Sequence, residues 1–193
     1  MSDTEAGWVQ SRGWMVASLV LVCMLAALGL ARVYLVTKPV IARQKTDATN
    51  RALAEVLPAA DRFEEQLPDE LWFGLDAEGR RVGSVIKVAP RGYAGPIETL
   101  AGVDLDGRVT GIFITSLNET PGLGLKAAAA PFRDQFRGRA GNELRLTRDG
   151  GALDAISAAT ITSRAVADGI REGLERFHDR LIPDAPGETD DND

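Results

Sequence analysis

The chain has 193 residues, 45% of them apolar, and a formal net charge of −6; that is enough for one domain core with appendages and excludes a wholly disordered chain. A basic stripe is what neutralises phosphates, so the acidic balance excludes a nucleic-acid surface. Cys23 and His178 are the only cysteine and histidine, which excludes a disulfide framework, a cysteine-rich cluster and a multi-histidine metal site; no metal is expected, and redox chemistry would need an organic cofactor.

Residues 1–12 are expected as a short cytoplasmic N-terminus. The run that follows, GWMVASLVLVCMLAALGLA, is uncharged and as a helix reaches roughly 28 Å, about one hydrocarbon core. A transmembrane helix is predicted over 13–36, in contact with the lipid bilayer, with Trp8, Trp14 and Tyr34 at its interfaces. Arg32 can snorkel to the surface, and Cys23 sits in lipid as an inert small hydrophobe. The competing reading is a cleaved signal peptide ending near Gly29-Leu30-Ala31, but the apolar run is longer than such a core and continues as VYLV beyond that site. Lys38, Arg43, Lys45 and Arg51 follow the span and only Arg12 closely precedes it, so positive-inside counting places the C-terminal domain in the cytoplasm.

Residues 37–70 read as a stalk helix and connection: TNRALAEVLP puts Leu53, Val56 and Leu57 on one face before Pro58, and AADRFEEQLPDE is polar. A domain over 71–182 follows. Two hairpins are predicted there, LWFGL with RRVGSVIKVA across an Asp76–Gly79 turn, and LAGVDL with RVTGIFITS across Asp106-Gly107. A third turn at Asp149-Gly150-Gly151 separates ELRLT from ALDAI, both expected as strands. A short helix is placed around Phe132 to Phe136. In the final helix, over 163–181, Val166, Ile170, Leu174, Phe177 and Leu181 form one packing face, with His178 off it on the surface. The fold class is therefore α+β: four to six antiparallel strands with packed helices, behind one N-terminal transmembrane helix. The acidic stretch 183–193 reads as a disordered tail.

Four hydroxyls crowd the start of the final helix: Ser157, Thr160, Thr162 and Ser163, separated only by Ala158, Ala159 and Ile161. A helix N-terminus offers free N–H groups and a positive dipole end, which suits a phosphate. Arg164 in the first turn is disfavoured by that dipole unless an anion compensates it. The plain alternative is that these hydroxyls are ordinary N-caps.

DAISAATITS, GYAGPIETLAGVD (92–104) and NETPGLGLK (118–126) together resemble the FMN-binding domains of the G subunit of the Rnf electron-transport complex and of the C subunit of the sodium-translocating NADH:quinone reductase. The resemblance covers nearly the whole chain and departs from the family at Ala158, where glycine is common. It implies FMN joined by a phosphoester to Thr160, attached by a separate magnesium-dependent flavin transferase that uses FAD. It also implies a cofactor site built from Ser157, Ala158, Ala159, Thr162, Ser163, Glu119, Thr120, Gly122, Leu123 and Gly124, with Tyr93 and Lys126. The residues agree with that linkage: flavins held through the ring use His, Cys or Tyr, yet Cys23 is in the membrane and His178 lies about five helical turns from Thr160. No base adjoins Thr160 in sequence, so self-attachment is not expected.

Gly122 and Gly124 allow a close backbone approach to a flat ring, and Lys126 is the candidate for stabilising negative charge on it. Tyr93 either stacks on a ring or packs in the core. The implied function is a covalent-FMN electron carrier with no catalytic residues and no NADH site of its own, partnered by the other membrane subunits of an ion-coupled oxidoreductase. It is expected in a bacterial inner membrane with its FMN domain on the periplasmic side, against the charge count. Three alternatives stay open: the C subunit of the quinone reductase, a cofactor-free anchored binding or assembly module, and a flavin-bearing regulatory sensor.

Overall fold

The computed structural model describes residues 12–181; the expected N-terminal segment, Trp8 and the acidic tail lie outside the described residues. The chain divides into two compact units, one up to Asp47 and one from Ala48 onward. The helix α1 (Arg12–Val56) begins in the first and ends in the second, and in the first it carries a stretch, Gly13–Lys38, long and apolar enough to cross a membrane. Its large apolar side chains are all exposed, an arrangement that suits hydrocarbon as solvent because a helix satisfies its own backbone. Near the end of the stretch the Lys38 ammonium lies 5.6 Å from the Tyr34 ring centroid, a cation–π pairing. The stalk helix expected within 37–70 is not a separate element, since α1 runs through Pro39 without a break. A single proline forfeits one intrahelical bond, and the helix resumes through Ala42, Arg43, Gln44 and Lys45, all good helix formers.

The second unit is an antiparallel meander in sequential order, β1 (Arg62–Leu67), β2 (Leu71–Leu75), β3 (Arg81–Val88), β4 (Ile97–Val103) and β5 (Val109–Leu117). Period-two alternation assigns its faces. Leu71, Ile86, Ala101 and Ile112 are successive cross-strand partners, and they join a core with Phe136 and with Val166, Ala167 and Ile170 of α3 (Thr160–Arg176). On the opposite face Trp72, Val85 and Leu100 are buried with Ala52, Leu53, Val56 and Leu57.

That second cluster corrects the expected stalk. The last turns of α1 are a layer of the domain, and the polar connection after them contains β1, paired along its length with β2. RFEEQL lacks apolar alternation because β1 is an edge strand, largely exposed, where charge discourages further pairing. Glycines let the helix end approach the sheet. A Cβ on Gly102 would collide with the Val56 carbonyl oxygen and lie 2.6 Å from Thr110 Oγ1, and the Thr110 hydroxyl donates to that same carbonyl.

Beyond β5 the chain is mostly short helical turns. The predicted helix around Phe132 to Phe136 is α2 (Ala130–Arg133) continued by a 3-10 turn, Asp134–Phe136. ELRLT and ALDAI are not strands: 3-10 turns occupy Gly141–Leu144 and Thr147–Asp149, and a single parallel bridge joins Leu146 to Leu153. Their leucines, Leu144, Leu146 and Leu153, are core fillers and make no ladder. The last helix begins at Thr160, earlier than expected, and is followed by α4 (His178–Leu181). Val166, Ile170, Phe177 and Leu181 are buried, Leu174 is half-buried and His178 is exposed.

Candidate functional site

Strand pairing brings two of the three motifs together. Ile97 at the start of β4 is opposite Leu117 at the end of β5, so the loop entering β4 and the loop leaving β5 share one end of the sheet. The entering loop is a tight reversal in which the Gly92 N–H donates to the Gly95 carbonyl over 2.8 Å. The leaving loop holds a β-turn from Thr120 to Leu123, closed by a 3.2 Å bond from the Leu123 N–H to the Thr120 carbonyl. Pro121 and Gly122 fill its central positions, and Gly122 has φ +78°, the pattern of a type II turn.

The third motif arrives on α3. Ile156 to Ala159 form a turn closed by a 2.9 Å N–H to carbonyl bond, with Ala158 at φ +61°. That left-handed conformation disfavours any residue with a Cβ and accounts for glycine being common there in the resembling family. Ser163 locks the turn: its Oγ accepts from the Ile156 N–H at 2.9 Å and donates to the Ala159 carbonyl at 3.0 Å.

One side chain ties all three segments. Glu119 is only 7% exposed; its Oε1 accepts from the Ala94 N–H and its Oε2 from the Thr162 hydroxyl, each at 3.0 Å. Glycine on either side makes room for it, since a Cβ on Gly124 would lie 2.7 Å from the Glu119 Cβ and one on Gly92 would strike Oε1.

Around this tie opens a cavity of about 550 Å³ lined by Tyr93, Glu119, Thr120, Leu123, Gly124, Ala158, Ala159, Thr160, Ile161 and Thr162. Nine residues of the expected site are thus brought together, while Ser157, Gly122, Lys126 and Ser163 are not in the lining. Ser163 is buried in the turn, and Ser157, Gly122 and Lys126 are exposed. Tyr93, left between stacking and core packing by the sequence, is 71% exposed at the cavity. Ile161 was not singled out by the sequence reading; it is 55% exposed, and its signal was an apolar residue off the buried stripe of α3.

The N-cap position of α3 is Ala159 and carries no side-chain cap bond; none of the hydroxyls caps the helix. Thr160 is the first helical residue, half-buried on the cavity wall beside first-turn amides that have no partner within the helix. The anion facing Arg164 belongs to the protein: its Nε and Nη2 bond the Asp149 carboxylate at 2.9 and 3.0 Å. That bond holds Asp149 below the usual carboxylate range and leaves Arg164 engaged away from the cavity. His178 lines a different hollow, with Asp106 and Leu174.

The residues fit a flat anionic cofactor with a phosphate tail. The volume is within the range of small-molecule pockets, Leu123, Ile161 and Tyr93 offer apolar and aromatic surface, and α3 presents its N-terminus to an anion. Residues 92–175 match the family model described as FMN-binding domain. The G subunit of the proton-translocating ferredoxin:NAD(+) oxidoreductase complex of Clostridium ljungdahlii is 32% identical over 162 residues, 82% of this chain and 88% of that protein. The G subunit of the Na(+)-translocating ferredoxin:NAD(+) oxidoreductase complex of Acetobacterium woodii is 33% identical over 183 residues, with the same shares of 82% and 88%. The G subunit of the ion-translocating oxidoreductase complex of Pseudomonas aeruginosa (strain UCBPP-PA14) is 30% identical over 208 residues, 93% of this chain and 96% of its own.

Proposed function

The chain belongs to the G-subunit family of ion-translocating oxidoreductase complexes, and from that premise we propose that it is the FMN-bearing electron carrier of such a complex, with the flavin esterified through its phosphate to Thr160. The three relatives named above are G subunits and cover four fifths or more of the chain, which favours this reading over the C subunit of the quinone reductase. The observation that carries it is the position of Thr160: a hydroxyl on the wall of the cavity, at an uncapped helix start, where three loops otherwise distant in sequence converge.

Bound FMN supplies electron transfer, and the chain's residues supply position. First-turn amides of α3 would hold the phosphate, Ala158 and Ala159 would keep bulk away from the ester, and Ile161, Leu123 and Tyr93 would offer apolar and aromatic surface to the ring. Among the described residues that line the cavity Glu119 is the one carboxylate, and its hydrogen bonds go to Thr162 and the Ala94 amide and not to Thr160. A threonine hydroxyl is a weak nucleophile unaided, so attachment falls to a separate magnesium-dependent flavin transferase. Thr160 would supply the hydroxyl oxygen of the ester, with FAD as the donor of the FMN phosphoryl group, AMP as the leaving group and the hydroxyl proton lost to the transferase or to solvent. The apolar stretch Gly13–Lys38 anchors the chain in the lipid of a bacterial inner membrane, with the FMN domain periplasmic beside the other membrane subunits. A tether raises the effective concentration of the carrier at its partners.

The test is the intact mass and in-gel fluorescence of the denatured full chain, coexpressed with a flavin transferase, beside Thr160→Ala. The expected result is a mass increment of one esterified FMN that disappears in the variant. An unmodified, non-fluorescent wild-type chain in the presence of active transferase would overturn it and leave a cofactor-free binding module.

A further inference from the structure

We propose that Glu119 is a fixed negative charge that holds the potential of the flavin below the value the same cavity would give without it; the inference rests on the FMN reading above. Its Oε1 accepts from the Ala94 N–H and its Oε2 pairs with the Thr162 hydroxyl, each at 3.0 Å, two hydrogen bonds of the kind that hold a carboxylate in its charged form. The group is enclosed, lines the cavity and is held in place by those two bonds, with Gly92 and Gly124 leaving it room on either side.

No cation offsets it in the cavity lining. Arg164 is engaged by Asp149, and Lys126, the residue expected from the sequence to stabilise negative charge on the ring, is exposed and outside the lining. A buried charge is weakly screened. When the ring takes up two electrons with one proton it becomes one unit more negative, and a nearby like charge opposes that change.

Two roles of Glu119 are separable. The tie between the three loops is a matter of shape, which glutamine can reproduce by accepting from Ala94 with its oxygen and donating to the Thr162 oxygen with its amide. The field is a matter of charge, which aspartate keeps and glutamine lacks.

The experiment uses full-length wild type, Glu119→Gln and Glu119→Asp, each coexpressed with the transferase. Flavin at Thr160 is first established by intact mass, so that a wild-type chain without flavin refutes the FMN reading itself. Each loaded chain is then titrated spectroelectrochemically, with dithionite as the reductant. Glu119→Gln is expected to raise the ratio of reduced to oxidised flavin at fixed ambient potential at least about tenfold, equivalent to about 30 mV for a two-electron couple, while Glu119→Asp stays within about threefold of wild type. An unshifted Glu119→Gln, or a Glu119→Asp that moves as far, overturns the proposal. Thermal melting of flavin-free chains in a Thr160→Ala background provides the second readout. There Glu119→Gln should melt close to its parent, and a collapsed fold or loss of flavin uptake in Glu119→Gln would overturn the division of roles.

Discussion

Ala158 holds φ at +61° in the turn that delivers Thr160 to its cavity, so the attachment loop carries local backbone strain at a non-glycine residue. The left-handed conformation costs about 1–2 kcal/mol with a Cβ present, partly offset by the extra freedom glycine loses on folding, about 0.5–1 kcal/mol. Ala158→Gly is therefore expected to raise the unfolding free energy by about 0.5–1 kcal/mol in urea titration, with flavin attachment to Thr160 retained. A destabilised variant would contradict the strain argument. The neighbouring pair, Arg164 and Asp149, predicts a pH effect. Hydrogen bonding from Arg164 lowers the folded-state value of Asp149, so its contribution to stability is present above the unfolded carboxylate value and is lost as pH falls through the folded one. Both side chains are partly exposed, and solvent keeps that contribution small. The drop in urea midpoint between pH 7 and pH 3 should be smaller in Asp149→Asn than in wild type; equal drops would dismiss the pair as a contributor.

At the scale of elements, the contact between the end of α1 and the sheet has the sharpest consequence. Gly102 has no room for a methyl group beneath Val56, whereas at Gly111 a Cβ would sit 3.4 Å from the Val56 Cα. Gly102→Ala is expected to destabilise by about 2–3 kcal/mol through overpacking, and Gly111→Ala by less than about 1 kcal/mol. Equal effects measured by chemical denaturation would mean that α1 yields freely at this contact. The two long hairpins were legible in the sequence because Asp-Gly and Glu-Gly turns sit between alternating apolar runs. β1 was not, since an edge strand made of RFEEQL is stabilised by its ladder to β2 and shows no buried face in its pattern. ELRLT and ALDAI misled for the opposite reason: they alternate like strands, yet their leucines fill the core from 3-10 turns. At the site, the three motifs contain every residue of the cavity lining, Ile161 included though no role was assigned to it, but not the arrangement. That Glu119 binds partners 25 and 43 positions away is a property of chain crossing, and no local pattern encodes it.

For the molecule as a whole, charge and function pull the orientation in opposite directions. Lys38, Arg43, Lys45 and Arg51 follow the apolar stretch and would hold the flavin domain in the cytoplasm by the positive-inside tendency. Against this, a long domain translocates largely regardless of flanking charge, and the domain carries a burial pattern complete enough to fold once released: both faces of its sheet are covered from within residues 48–181. Neither the charge count nor the fold therefore prevents the periplasmic placement that the family resemblance implies, and that placement is the expected outcome. The chain lends itself to a direct check, because Cys23 is its only cysteine and lies in the apolar stretch. In a Cys23→Ser background, Ser116→Cys places one thiol at an exposed position of β5. A membrane-impermeant maleimide should label it in intact spheroplasts as fully as after lysis. Labelling only after lysis would put the domain in the cytoplasm, and with it would fall the periplasmic route for attaching FMN to Thr160, even if the ester itself were found.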